Sequence, residues 1–264
     1  MLKLCVAGAA GKMGTAVIRE AAGKGFHVIG AVEAVGNPCI GMSLRELGIC
    51  DSDVGIVDSE HIGEAVGNAD VYVTFTAPAA EIHNIPIVAA FGKRVVLGTT
   101  GFTDDQDRMV RKAVQGTVPA VFSPNYSVGV NVLFKLARAL KSFPQEYTFS
   151  ISEIHHTGKK DAPSGTAKKL GEIIADIRGY STVIHGRDGL SPRKPEELEI
   201  AALRVGGVPG IHDLIVAGPY EMLKIEHVAF SRSVFAQGAV YAAEWVSRQS
   251  EPRIFSMEDV LGLA

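Results

Sequence analysis

The chain has 264 residues, 47% hydrophobic and 21% charged, with a formal net charge of −3. That length bounds it to one large domain or two modest ones, and the apolar fraction excludes a disordered chain. A slightly acidic balance with only 7% aromatic residues offers neither an electrostatic footprint nor a stacking platform for nucleic acid. No apolar run approaches the roughly 18 residues of a membrane span.

A buried strand is expected over Leu2–Ala7, then a glycine-rich turn and a helix over Met13–Ala22. The apolar start is soon broken by glycines and Lys12, so it reads as a strand entering a loop and not as a leader peptide. Val28–Val32, Asp70–Phe75, Arg94–Leu97 and Val118–Phe122 are further apolar strands, with helices near 79–91 and 104–115. Pro86 is expected to bend or displace the first of those helices. Near-continuous apolar strands alternating with helices imply a parallel sheet covered on both faces.

After residue 125 the pattern changes. Val130, Leu133, Phe134, Ala137 and Leu140 form one helical stripe, and Leu170, Ile173, Ile174 and Ile177 mark a second helix. Gln145–Ile154 alternates, with Tyr147, Phe149 and Ile151 facing one way. Strands at 199–205, 211–217 and 220–230 follow with no clear helix between them, as in an open, partly antiparallel sheet. A helix returns over Val234–Arg248, before a short mixed tail. The fold class is therefore α/β: an N-terminal Rossmann-like parallel-sheet domain over 1–126 plus 236–264, and an α+β domain on an open mixed sheet over 127–235.

The chemistry-bearing residues fall at loops. Gly8-Ala9-Ala10-Gly11-Lys12-Met13-Gly14 joins the first strand to the first helix, a GxxGxxG variant of the dinucleotide fingerprint. Glycines there let backbone N–H groups and a helix start approach a pyrophosphate, although the same residues also suit a plain strand–helix corner. Glu33 ends the second strand, where a carboxylate accepts from the ribose hydroxyls and repels a 2′-phosphate; a solvated loop carboxylate is the alternative. Ala34 adds no positive charge and Lys12 is the only nearby cation, so NADH is favoured with NADPH possible. Phe75–Pro78 and Gly98-Thr99-Thr100-Gly101-Phe102 follow parallel strands, where a nicotinamide could be received, or where they could be simple polar turns.

The densest segment is Glu153-Ile154-His155-His156-Thr157-Gly158-Lys159-Lys160-Asp161-Ala162-Pro163-Ser164-Gly165-Thr166-Ala167. Ser164 is an N-cap candidate, and the Gly165 and Thr166 N–H groups would open a helix as an anion site. Lys159 could reach the same anion, so the segment reads as a receptor for a small carboxylate substrate; helix capping alone does not explain the lysines. His155 and His156 point to opposite faces of an extended chain, so one of them faces a reacting atom. A histidine beside lysines is an acid–base candidate, since cations lower its pKa. No further His or Cys completes a metal site, and Cys5, Cys39 and Cys50 include no CxxC pair, so no metal is expected and a reducing cytoplasm is.

This segment, E-x-H-H-x-x-K-x-D-A-P-S-G-T-A, resembles the signature of the dihydrodipicolinate (4-hydroxy-tetrahydrodipicolinate) reductase family. GAAGKMG at the start, GTTGF at 98–102, FSPNYSVGVN at 122–131 and SRSVFAQGA at 231–239 agree in order, so the resemblance spans nearly the whole chain. It implies reduction of the cyclic product of dihydrodipicolinate synthase to tetrahydrodipicolinate, on the diaminopimelate route to lysine, with hydride passing from NADH or NADPH to C4 of the ring. It implies His155 as proton donor and acceptor, Lys159 as a second proton donor, and His156, Gly165 and Thr166 as substrate ligands. It places the cofactor along Gly8–Met13, Glu33, Gly98–Thr100 and Phe122-Ser123-Pro124-Asn125, and makes the second domain a tetramerisation domain of a homotetramer. Family members using NADPH often carry a basic residue where this chain has Ala34. Two other readings compete: another NAD(P)-dependent amino-acid or semialdehyde dehydrogenase, or a non-catalytic NAD(H)-sensing protein.

Overall fold

The computed structural model describes residues 1–263, which divide into one unit of Met1–Ser127 with the chain from Arg232 on, and a second of Val128–Ser231. In chain order the first unit opens with β1 (Lys3–Ala7), α1 (Lys12–Gly23), β2 (His27–Glu33), β3 (Ile56–Asp58), α2 (Ile62–Val66) and β4 (Val71–Thr74). It continues with α3 (Pro78–Ala90), β5 (Arg94–Leu97), α4 (Asp104–Val114) and β6 (Ala120–Phe122). The second unit holds α5 (Val128–Ala139), β7 (Thr148–His155), α6 (Gly165–Arg178), β8 (Thr182–Ile184), β9 (Glu197–Arg204), β10 (Gly210–Ala217) and β11 (Met222–Ala229). The chain then returns to the first unit as α7 (Ser233–Val246), β12 (Ile254–Phe255) and α8 (Met257–Leu261).

The first unit is a seven-stranded sheet in the order β12-β6-β5-β4-β1-β2-β3, every pairing parallel. Apolar residues on both faces of its central strands account for that: β4 is buried along its whole length and β1 from Leu4 to Ala7. Leu4, Val6 and Val73 pack with Val17 and Ile18 of α1 and with Ala239, Val240 and Ala243 of α7 on one face. Cys5, Ala7 and Tyr72 pack with Ile85 and Val88 of α3 and Val110 and Val114 of α4 on the other. Strand order reverses between β1 and β4, the switch point outside whose carboxyl ends such sheets bind ligands.

Pro86 does not displace the helix: α3 runs from Pro78 to Ala90 through it. Pro86 is on the solvent side, while Ile85, Val88 and Ala89 are buried. Ile85 and Val88 each gain about 1.5–3 kcal/mol on burial, together enough to offset the roughly 3 kcal/mol proline penalty. Strands β3, β8 and β12 and helices α2 and α8, of two to five residues, are additional to the expected elements. Windows that short carry no periodicity.

The second unit is a mixed sheet in the order β11-β10-β7-β9-β8, with β10 antiparallel to β7 and β11, and β9 parallel to β7 and β8. Phe149 and Ile151 of β7, Leu198 and Ile200 of β9 and Leu214 and Val216 of β10 face α5 and α6 as one core. That same face turns polar at the end of β7, with Glu153 and His155 both buried.

Candidate active site

In the first unit, β1 delivers the chain into the glycine turn with Gly8 at φ +72°. A side chain is excluded twice over: a Cβ on Gly8 would lie 2.6 Å from the Phe75 carbonyl, and one on Gly14 would lie 2.0 Å from the Gly8 carbonyl. Gly11 caps α1 without a side-chain hydrogen bond, and no acidic residue sits in that helix's first turn. By contrast α4 opens with a full capping box from Thr103 and Gln106. An uncapped, glycine-lined helix start of twelve residues fits the pyrophosphate of a dinucleotide.

Glu33 is half-buried at the end of β2 and fastens this turn. Its Oε1 accepts from the Ala10 N–H at 2.8 Å, while Oε2 accepts from Asn37 Nδ2 at 3.1 Å and the Ala34 N–H at 3.3 Å. Lys12 and Gly11 are exposed, Met13 half-buried, and Ala9 buried beneath the turn.

The loops after β5 and β6 lie at carboxyl ends of the same sheet. The Gly98 N–H donates to the Thr74 carbonyl at 2.9 Å, Thr99 is buried and Thr100 exposed. After β6, the Ser123 hydroxyl donates to the Asn125 carbonyl at 2.7 Å, and the Tyr126 hydroxyl lies on the Leu97 and Val121 carbonyls at 2.8 and 2.9 Å. Pro124 is exposed, and Phe122 and Asn125 are half-buried. The residues expected at a cofactor thus lie at, or just beyond, the carboxyl ends of β1, β2, β5 and β6 in one sheet. Sequence reasoning missed Asn37 and Glu81; the latter is a wholly buried carboxyl under the loops after β4 and β5. A single acidic residue in an apolar helix gives no spacing pattern that would have marked it.

In the second unit, Glu153 and His155 share the helix-covered face of β7 because their spacing is two. His155 Nδ1 pairs with Glu153 Oε2. Arg204 of β9 grips both carboxylate oxygens, at 3.0 and 3.1 Å, and its guanidinium also donates to the Asp161 carbonyl at 2.6 Å. The Ser164 N–H donates to Glu153 Oε1 at 3.0 Å. Glu153 therefore ties together β7, β9 and the start of α6. Burial pushes its carboxyl up, but the bonds from Arg204 and His155 outweigh this and hold it below the ordinary carboxylate range. Burial pushes the His155 imidazole down; Glu153 opposes this, the Lys159 and Arg204 cations reinforce it, and the net direction is down.

The rings of His212 and His155 stand edge to face at 5.1 Å, and His227 lies 5.9 Å beyond His212. Pairing register explains the row: Glu153 is opposite His212, which is opposite His227. Ser164 is buried, its hydroxyl accepting from the Ala167 N–H at 3.2 Å and lying 3.3 Å from His212 Nε2. Gly165 is exposed and Thr166 half-buried at the first turn of α6. His156 is half-buried just past β7, while Lys159 Nζ lies 2.8 Å from Asp161 Oδ1 and Lys160 is exposed. His155, Lys159 and the α6 start are thus assembled around one loop. Arg204 and His212, contributed by distant strands, could not be read from the segment itself. Among the described residues, no group of three His, Cys, Asp or Glu is placed to hold a metal.

The family model described as dihydrodipicolinate reductase, N-terminus, matches residues 2–126, and the one described as its C-terminus matches 129–261. The 4-hydroxy-tetrahydrodipicolinate reductase of Methanosarcina barkeri is 41% identical over 268 residues, covering all of both chains. That of Trichlorobacter lovleyi is 37% identical over 268 residues, again covering all of both. Among solved structures, a dipicolinate-bound dihydrodipicolinate reductase from Paenisporosarcina superposes with a TM-score of 0.73 at 21% identity, covering 97% of each chain. An amine dehydrogenase from Mycobacterium smegmatis gives 0.66 at 13% identity, covering 97% of this chain and 95% of its own.

Proposed function

The chain belongs to the dihydrodipicolinate reductase family, and from that membership we propose that it reduces 4-hydroxy-tetrahydrodipicolinate to tetrahydrodipicolinate with NAD(P)H, on the diaminopimelate route of lysine biosynthesis. The observation that carries the site assignment is the His155 imidazole, held by Glu153 beside Lys159 and the start of α6.

Residues 8–14 would take the pyrophosphate, Glu33 the adenosine ribose, and Gly98–Thr100 with Phe122–Asn125 the nicotinamide half. NAD(P)H supplies the hydride when bound. The remaining task belongs to the protein: to hold a dicarboxylate and deliver one proton. Lys159, His156 and the Ser164–Thr166 helix start bind the substrate carboxylates, because a cation and aligned N–H groups replace their water. With Nδ1 engaged by Glu153, His155 presents Nε2 to the substrate. Burial and nearby cations hold the imidazole pKa down, and a bound dianion would raise it, so His155 would collect the proton that the reduced ring needs after hydride arrives. Lys159 is a second proton donor.

NADH is the preferred donor, because Glu33 confronts a 2′-phosphate with a carboxylate and Ala34 offers no cation to receive one. The protein acts in the cytoplasm as a homotetramer assembled through the sheet of the second unit; its cysteines are free thiols, as a reducing compartment keeps them. The test is loss of NADH absorbance with substrate generated by the preceding synthase. Wild-type protein turns over, and His155→Gln lowers kcat by about 10²–10⁴-fold with a smaller change in substrate KM. A His155→Gln enzyme with unchanged kcat contradicts the assignment.

A further inference from the structure

We propose that Glu81 is the positioning residue for the nicotinamide half of the cofactor, its carboxylate binding the loop after β4 to the loop after β5 as one floor. The inference rests on the cofactor placement proposed above.

Glu81 lies one turn into α3, where the lean of helical side chains toward the N-terminus carries its carboxyl back over residues 74–76. It is wholly buried. One oxygen, Oε1, accepts three hydroxyls: Thr74 at 2.5 Å, Thr76 at 2.5 Å and Thr99 at 2.6 Å. Thr99 Oγ1 in turn accepts the Thr76 N–H at 2.9 Å. The end of β4 and both following loops therefore converge on a single atom. Those loops have no regular secondary structure, and each follows a strand end where such a sheet receives its ligand.

The other oxygen, Oε2, is buried and has no hydrogen-bond partner among the described residues. A carboxyl left half unsatisfied in an apolar core costs stability, so an aliphatic side chain would fill the same space at less cost. What an aliphatic residue could not do is gather three hydroxyls. The contribution of Glu81 is thus geometric, fixing where Thr76 and Thr99 stand.

The test titrates the whole protein with NADH and, separately, with ADP-ribose, which lacks nicotinamide. Glu81→Leu should weaken NADH binding about tenfold while ADP-ribose binding stays within about twofold. Glu81→Gln keeps an acceptor oxygen for the hydroxyls and should restore NADH affinity to within about threefold. Equal losses for both ligands in Glu81→Leu would reduce the residue to a general structural role and overturn the proposal, as would no loss for either. If Glu81→Leu does not fold, Thr76→Val and Thr99→Val remove single hydroxyls at constant shape. Each should weaken NADH selectively by about three- to tenfold, and wild-type NADH binding in both would overturn the proposal. Wild-type protein that binds neither ligand would overturn the cofactor placement itself, and this inference with it.

Discussion

Lys159 and Lys160 are neighbours in sequence with different surroundings. The Lys159 side chain is only 21% exposed and pairs with Asp161, whose carboxyl it holds below the usual range, whereas Lys160 is in solvent. A positioned ammonium and a diffuse positive field make different predictions. Lys159→Ala should lower kcat and weaken pyridine-2,6-dicarboxylate binding about tenfold or more, as loss of a charge-assisted bond does, with Lys160→Ala doing much less. NADH affinity should hardly change in either variant. Equal losses from both, measured by inhibitor titration, would show that the field and not the position matters. At the other end of the proposed reaction, Glu33 has its two oxygens held by Ala10, Ala34 and Asn37, which favours its carboxylate staying in place against an incoming 2′-phosphate. The ratio of kcat/KM should favour NADH, and Ala34→Arg should move it toward NADPH; a wild-type preference for NADPH would contradict the argument.

At the scale of elements, the polar end of the second sheet is a row built by strand register across β7, β10 and β11. Its middle member, His212, is 4% exposed, and burial together with His155, His227 and Lys159 pushes its pKa down to about 3, with only Glu153 opposing. The unfolded chain takes a proton on this residue at its ordinary value near 6.5, while the native state does not. Stability from this group is therefore complete above about pH 6.5 and falls as the pH drops toward 3. The loss should reach about 3 kcal/mol by about pH 4.5. Urea midpoints across that range should fall, and fall less steeply in His212→Phe, which keeps a ring in the stack. An unchanged slope in that variant would mean that His212 titrates normally.

At the scale of the molecule, α5 and α6 cover only one face of the five-stranded sheet. On the opposite face, Leu203, Ile154, Ile211 and Val228 are register partners in one apolar row across four strands, exposed at both ends. Such a row is a reason for self-association. Sedimentation should find four copies of the chain, and Val228→Glu together with Ile211→Glu should shift the distribution to smaller species with the fold intact by circular dichroism. A wild-type monomer would contradict the proposed assembly.

The chain's own order of residues determined a good deal: a parallel sheet from continuous apolar runs, a mixed sheet from alternating ones, the glycine turn, and the His155–Thr166 segment as the candidate for acid–base chemistry. Each is a local pattern, because periodicity and turn chemistry act over a few residues. Tertiary structure alone decided what surrounds them. Arg204 reaches Glu153 from 51 residues away along the chain because β9 pairs with β7, and Glu81 meets Thr99 because β4 and β5 are neighbours. It also decided that α3 passes through Pro86, where packing of the flanking residues outweighs a local penalty. Burial, register and the pKa of a histidine are sums over neighbours that only the folded chain brings together.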